Sequence, residues 1–296
     1  MIKRFAAILL ASVAFFAVSC DGDTGYAPDN DIPPHVTPPE PPVVVTPTYP
    51  KGEGIIRLVS YNVGAFNKYG NSIDMIAKMI KELDSDIVGL NEVDSCTTRT
   101  GLVNQAKVLA EKLGGWSHVL GTMHNHQGGL YGNAIVMSPD YKLTGKKKVA
   151  LSKTNPKHET RSFVVAKNEK FVYIATHLEV NGEEARLLGA KEITEWAKEN
   201  YGNSDMPVIL CGDMNCEPHD APIIQLKKDW TVLSVPDNTY PSSPSKPATK
   251  CIDFIMILNN KAQYEFVKSE VPTVFKYGSV VQASDHLPVY VDIKLK

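Results

Sequence analysis

The 296 residues are 43% hydrophobic and 22% charged, which excludes a wholly disordered chain and supplies enough apolar material for one large core or two modest ones. The formal net charge is −2, and no basic block advertises nucleic acid or anionic lipid. Charge alone therefore does not bring a polyanion here, although a compact site that manages phosphate with a metal stays open.

The chain opens with "MIKRFAAILLASVAFFAVSC", in which Lys3 and Arg4 precede an apolar run from Phe5 to Val18 and small residues stand ahead of Cys20. This is the pattern of a secretory signal over residues 1–19, too short and wrongly flanked for a membrane-spanning helix. "AVSC" resembles a bacterial lipobox, so Cys20 is expected to become the lipidated first residue of an exported protein, anchored to a membrane on the periplasmic side or at the cell surface. Ordinary cleavage and secretion is the alternative.

Residues 20–53 are crowded with proline and have no period that could bury a face, so they read as a tether. At about 3.1 Å per residue in polyproline conformation, some thirty residues reach roughly 90 Å.

From Gly54 to Lys296, strands and helices alternate. "IIRLVSYN" is a continuous apolar strand ending in Asn62, and the next helix carries Ile73, Ile76, Met79, Ile80 and Leu83 at helical spacing behind a Ser72 cap. "DIVGLNEVD" is a second buried strand, and "NQAKVLAEKLG" a second helix. "WSHVLGT", "NAIVMS", "KKKVALS", "RSFVVAK" and "KFVYIATHLEV" then read as strands divided by Gly, Pro and Asn turns. The longest helix covers "NGEEARLLGAKEITEWAKEN", with Asn181 and Glu184 spaced as a capping box. "PVILCGD" is a strand, Pro218 is placed to begin a short helix near "APIIQLKK", and "CIDFIMI" and "PVYVDIK" close the series. The alternation predicts an α/β layered domain buried on both sheet faces.

Polar residues stand where these apolar strands begin or end: Asn62, Glu92, His177, Asp213 and Asn215, Asp253, and the pair Asp285–His286. Side chains at strand ends project from a rigid sheet into the cleft that the loops make. Hard oxygen ligands such as Glu92 and Asn62, with no Cys/His cage around them, suit Mg²⁺ or Mn²⁺. Two distant histidines can donate to a phosphoryl oxygen while carboxylates orient them or take a proton from water. The set points to metal-assisted attack of water on a phosphate ester.

The ordered motifs "SYNVGAFN", "LNEVD", "ETRSFVV", "YIATHLEV", "CGDMNCEP", "CIDFIMI" and "ASDHLPV" resemble the endonuclease/exonuclease/phosphatase superfamily, the deoxyribonuclease I-like hydrolases, across residues 54–296. The resemblance implies a four-layer α/β sandwich with two central mixed β-sheets and the site at their shared edge. It implies Glu92 as the metal ligand with Asn62 beside it, and Asp285 as a metal-proximal neighbour. Asp213 becomes the general base or water-orienting group, and Asn215 the amide that steadies it and the phosphate. His286, oriented by Asp253, and His177 become the phosphate contacts, and Arg161 matches an arginine on the strand before that histidine. Tyr131 and Asn133 are candidates for the substrate side.

His124 and His126 sit in a Gly-rich stretch with no third ligand and read as loop histidines, and a zinc site of Cys211, Cys216 and His219 lacks the usual spacing. Inositol-polyphosphate 5-phosphatases carry Trp and Arg where this chain has Cys211 and Phe254, and the chain looks more like the broad bacterial branch with sphingomyelinase-like phosphodiesterases. The substrate is thus a phosphate ester of nucleic acid, lipid, inositol or sugar. A non-catalytic surface binding protein on the same fold is the rival, and no stable protein partner is implied.

Overall fold

Apolar side chains alternate across the strands so that both faces of two sheets are covered. The computed structural model describes residues 45–296. The segment expected to be a signal sequence, the expected lipidation site Cys20 and most of the expected tether lie outside the described residues. Chain order is β1 (Ile56–Asn62), α1 (Ile73–Glu82), β2 (Ile87–Ser95), α2 (Gln105–Lys112), β3 (Ser117–Leu120), β4 (His124–His126), β5 (Gly129–Met137), β6 (Gly145–Ala150), β7 (Ser162–Lys167) and β8 (Val172–His177). It continues α3 (Glu183–Tyr201), β9 (Val208–Asp213), α4 (Ala221–Leu226), β10 (Trp230–Val232), β11 (Asp253–Leu258), β12 (Tyr264–Glu270), α5 (Val280–Ala283) and β13 (Val289–Leu295).

One sheet runs β12-β13-β1-β2-β5-β3, with β4 also paired to β5; the other runs β10-β11-β9-β8-β7-β6. Both are mixed: β1–β2 and β8–β9 are parallel pairs, and the remaining pairs are antiparallel. Leu58, Ile135 and Val291 of the first sheet meet Val164, Tyr173, Ile209 and Ile255 of the second in a central core. The outer face of the first sheet packs Val59, Val88 and Val136 on Ile76, Ile80 and Leu109 of α1 and α2. The outer face of the second packs Val165, Ile174 and Leu210 on Ile193 of α3 and Ile223 of α4. Helix, sheet, sheet and helix make the expected four layers. Each fully buried Ile or Leu in them contributes about 1.5–3 kcal/mol.

Local readings are corrected in four places. Ser72 precedes α1 but donates its hydroxyl to Ala283 O at 2.8 Å instead of capping the helix. No capping box forms at Asn181, because Gly182 at φ 95 is the residue before α3 and the Asn181 N–H goes to Glu179 Oε1. Pro218 lies in a turn, and Pro222 is the proline in the first turn of α4. His124 and His126 belong to strand β4.

Thr48, Tyr49 and Lys51, within the segment expected to be a tether, are bonded to the domain. Thr48 and Tyr49 donate their N–H groups to Glu82 O at 2.9 and 3.0 Å, and Lys51 Nζ reaches Asp84 O and Asp86 Oδ2 at 2.9 and 2.5 Å. The buried Arg57 holds Asp292 with two 2.7 Å bonds and donates to the carbonyls of Tyr49 and Leu83. A buried guanidinium is tolerated when its donors are met, as they are here.

Candidate active site

Parallel pairing carries Asn62 and Glu92 to the same end of the first sheet, and the Cα register of β8 with β9 sets His177 beside Asp213. Antiparallel β11 starts at that end, so Asp253 lies opposite Asp213. Gly212 permits the close approach: a Cβ there would stand 1.8 Å from Thr176 O, and its φ of 141° disfavours any side chain.

Glu92 reaches the cleft through an irregularity. The β2–β5 register shifts between Leu90 and Val93, and Glu92 has φ 59°. Asn215 is also left-handed, at φ 49°. So are Ala65 and Phe66 in the turn after Asn62, at φ 54° and 52°. Such conformations cost L-residues about 1–2 kcal/mol each, and here they cluster where polar groups are aimed.

Asp213 is the hub. Its Oδ1 accepts the Asn215 N–H at 2.9 Å, and its Oδ2 accepts Asn62 Nδ2 at 3.1 Å. Oδ2 also lies 3.3 Å from His177 Nε2 and 3.6 Å from His286 Nε2. His286 Nδ1 stands 2.9 Å from Asp253 Oδ2, which also accepts Thr239 Oγ1 at 2.6 Å. The Tyr240 ring lies against His286, with centroids 4.7 Å apart.

Burial would lower the His286 pKa, but the carboxylates of Asp253 and Asp213 outweigh it and raise the imidazole to about 9. Burial lifts Asp213 to about 7, while the His286 charge and the bonds from Asn215 and Asn62 work against that rise. His177 goes the other way, held well below its ordinary value first by burial and then by the charges of Arg161 and His286. The site thus holds a cationic donor, a carboxylate that can take a proton near neutrality and a neutral imidazole.

These groups line a cleft of ≈ 500 Å³, walled by Glu92, Tyr131, Arg161, Asn215, Lys68 and Asp285 among others. Arg161 donates Nε to Glu179 at 3.3 Å and pairs with Glu159 at 3.1 Å. Tyr131 has its phenol pKa raised by burial and by the Glu92 charge. Asp285 is paired with Lys68 at 2.6 Å.

Three expected roles change. Asn133 does not line the cleft. It is buried between the sheets, where its Oδ1 accepts Asn91 Nδ2 at 2.8 Å and its Nδ2 donates to Ser162 O at 2.8 Å. The Asn215 side-chain Nδ2 donates to Leu178 O, so its backbone N–H is what steadies Asp213. Asn62 Oδ1 accepts the Gly64 N–H and Nδ2 holds Glu92 and Asp213, both at 3.1 Å, so Asn62 positions the two carboxylates.

Sequence reasoning missed Lys68, Thr239 and Asn91, whose Oδ1 accepts the Asp213 N–H at 2.9 Å. Asn91 sits beside Glu92 in "LNEVD", a signal that was available in the motif. Cys211 lies in the central core and Cys216 in the outer one, so they face opposite sides of the sheet; with His219 exposed, no zinc site forms there.

Asp213, Asp253 and His286 place one possible ligand atom each within 4.8 Å of one another. His286 Nδ1 is engaged by Asp253 Oδ2 at 2.9 Å and Nε2 faces Asp213 Oδ2 at 3.6 Å, so this trio reads as a proton-handling relay. The oxygens facing the cleft at Glu92, with Asp285 nearby, are the donors that fit a hard divalent ion.

A family model described as Endonuclease/Exonuclease/phosphatase family matches residues 59–286. The chain belongs to that family. Among solved structures it is similar to a mannosyl-6-phosphatase from Bacteroides thetaiotaomicron, with TM-score 0.65 and 21% identity over 80% of this chain and 99% of that one. It is similar also to the human Nocturnin catalytic domain, with TM-score 0.60 and 16% identity over 82% and 95% of the chains. Zebrafish (D. rerio) TDP2, determined with a single-strand DNA product, gives TM-score 0.63 and 16% identity over 81% and 99%. At these identities the likeness concerns the fold. A comparison with curated protein sequences finds no match.

Proposed function

We propose that the chain is a Mg²⁺-dependent phosphoesterase in which water attacks the phosphorus of a phosphate ester. The Asp253–His286–Asp213 arrangement, with 2.9 Å and 3.6 Å between its partners, carries this reading. Family membership supports a phosphate-ester hydrolase, and the mannosyl-6-phosphatase neighbour is compatible with a small phosphorylated substrate.

Asp213, fixed by Asn62 and the Asn215 N–H, accepts one proton of the attacking water as its oxygen bonds phosphorus. His286, held by Asp253 through Nδ1, directs Nε2–H at a phosphoryl oxygen and offsets the charge that gathers there. The ester P–O bond breaks, and the leaving oxygen departs to the open cleft, where solvent protonates it. Glu92 and Asp285 would hold Mg²⁺, with Mn²⁺ as a substitute, and the bound ion would polarise the phosphate. We also infer export and anchoring to a membrane through a lipid on Cys20, on the strength of the lipobox-like "AVSC".

Purified chain beginning at residue 45, so that the docked segment is kept, is assayed on an aryl phosphate and a bis-aryl phosphate with Mg²⁺ or with a chelator. Turnover that needs the ion supports the reading. Turnover that persists in chelator removes the metal assignment, and none on any ester favours a binding protein on this fold.

A further inference from the structure

The lysine and arginine side chains that line the cleft are Lys68, Arg161, Arg186 and Lys250. Arg161 already spends Nε on Glu179 and pairs Nη2 with Glu159, Arg186 gives Nη1 to the carbonyls of Glu179 and Val180, and Lys250 is exposed. Lys68 makes one contact, to Asp285 Oδ2 at 2.6 Å, and its side chain is 46% exposed, so an ammonium with three hydrogens keeps donors for something arriving in the cleft. Lys68, Asp285 and His286 all line the same cleft, so the ammonium shares it with the imidazole proposed to meet phosphate.

The backbone that delivers Lys68 is costly to hold. Gly64, Ala65 and Phe66 form a left-handed turn with φ between 52° and 54°. The turn is fixed at four points: Gly64 N–H on Asn62 Oδ1, Gln105 Nε2 on Ala65 O, Ser72 N–H on Phe66 O, and the Phe66 ring in the core. The first of these is the asparagine that also holds Glu92 and Asp213. The position of Lys68 is therefore tied to that of the catalytic carboxylate, and strain of this kind persists where the surroundings over-determine it.

Resting on the phosphoesterase reading, we infer that Lys68 is a specificity-determining residue that moves from Asp285 to the substrate and recognises a terminal phosphate, so that the substrates are phosphate monoesters. A monoester near neutral pH carries a second negative charge and a third unesterified oxygen, both absent from a diester. His286, oriented by the 2.9 Å contact of its Nδ1 with Asp253, meets the oxygens common to both esters, and the Lys68 ammonium meets the additional charge.

The test compares full chain with Lys68→Met and Lys68→Arg. The monoester-to-diester ratio of kcat/KM for aryl phosphate against bis-aryl phosphate should fall about tenfold in Lys68→Met, chiefly through the monoester KM, and recover in Lys68→Arg. In parallel, calorimetry with orthophosphate and dimethyl phosphate at about pH 8 should show tighter wild-type binding of orthophosphate, with that preference lost in Lys68→Met. A ratio unchanged, or both ligands weakened alike, overturns the assignment. If neither ester is hydrolysed, the phosphoesterase reading fails by itself, and the calorimetric preference still decides for or against Lys68.

Discussion

Both poles of the two-sheet body bury charge, and they treat it in opposite ways. At the pole where β1 begins, Arg57 meets two oxygens of Asp292 and two backbone carbonyls, and Glu82 accepts Lys276 and Tyr277 N–H groups at 2.7 Å each. At the pole where β1 ends, Asp253 Oδ1 and His177 Nδ1 are buried without a partner, and Asp213 is pushed toward neutrality. A saturated ion cluster stabilises one conformation; an unsaturated one keeps binding capacity for a ligand.

The comparison is broken most sharply at Asp213. Asp213→Asn should lower turnover by about 10²–10⁴-fold. Its melting temperature at about pH 8 should hold or rise, since the folded state disfavours the buried charge. A parallel loss of stability would put Asp213 in the structural class. Arg57→Met should do the reverse, costing about 3–5 kcal/mol in denaturant unfolding because Asp292 and two carbonyls lose their donor, while activity per folded molecule is kept.

A pH series sharpens the contrast further. Turnover needs Asp213 ionised and His286 protonated, so kcat/KM should rise to a plateau above about 7 and fall above about 9. The raised His286 pKa also links to folding: its stabilising share is full below its ordinary 6.5 and is lost as pH climbs through about 9. In chelator, wild type should therefore melt lower at pH 9.5 than at pH 6.5 by more than His286→Gln does. The smallest effect is Tyr49→Ala. Its ring contacts with Phe275 and Tyr290 and its hydroxyl bond to Val274 O are worth about 1–2 kcal/mol, with turnover unchanged.

The buried strands were legible because "IVGL", "VILC" and "FIMI" carry no polar side chain, as burial on both faces favours, and "LVSY" is broken only by Ser60. Strand β12, "YEFVKSE", was not. It is an edge strand with Phe266 and Val267 exposed and a register shift between Phe266 and Lys268, so neither burial nor alternation marks it. In the site, residues that end parallel strands were readable from position, and the structure brings His286 Nδ1 to 2.9 Å from Asp253 Oδ2. Asn133 was misread because an amide near a Gly-rich stretch looks the same whether it faces a cleft or crosses between sheets. Lys68 carried no signal, since its place depends on a left-handed turn containing Ala65 and Phe66, residues that do not advertise that conformation.

The docking of Thr48, Tyr49 and Lys51 also decides where a mechanical load would fall. Traction on the leading end of the chain is borne by the Glu82 carbonyl and the Arg57–Asp292 clasp, a strand length of about 20 Å from Asn62. A tug at that strap would strain the welded end of the body before it disturbed the groups that face substrate.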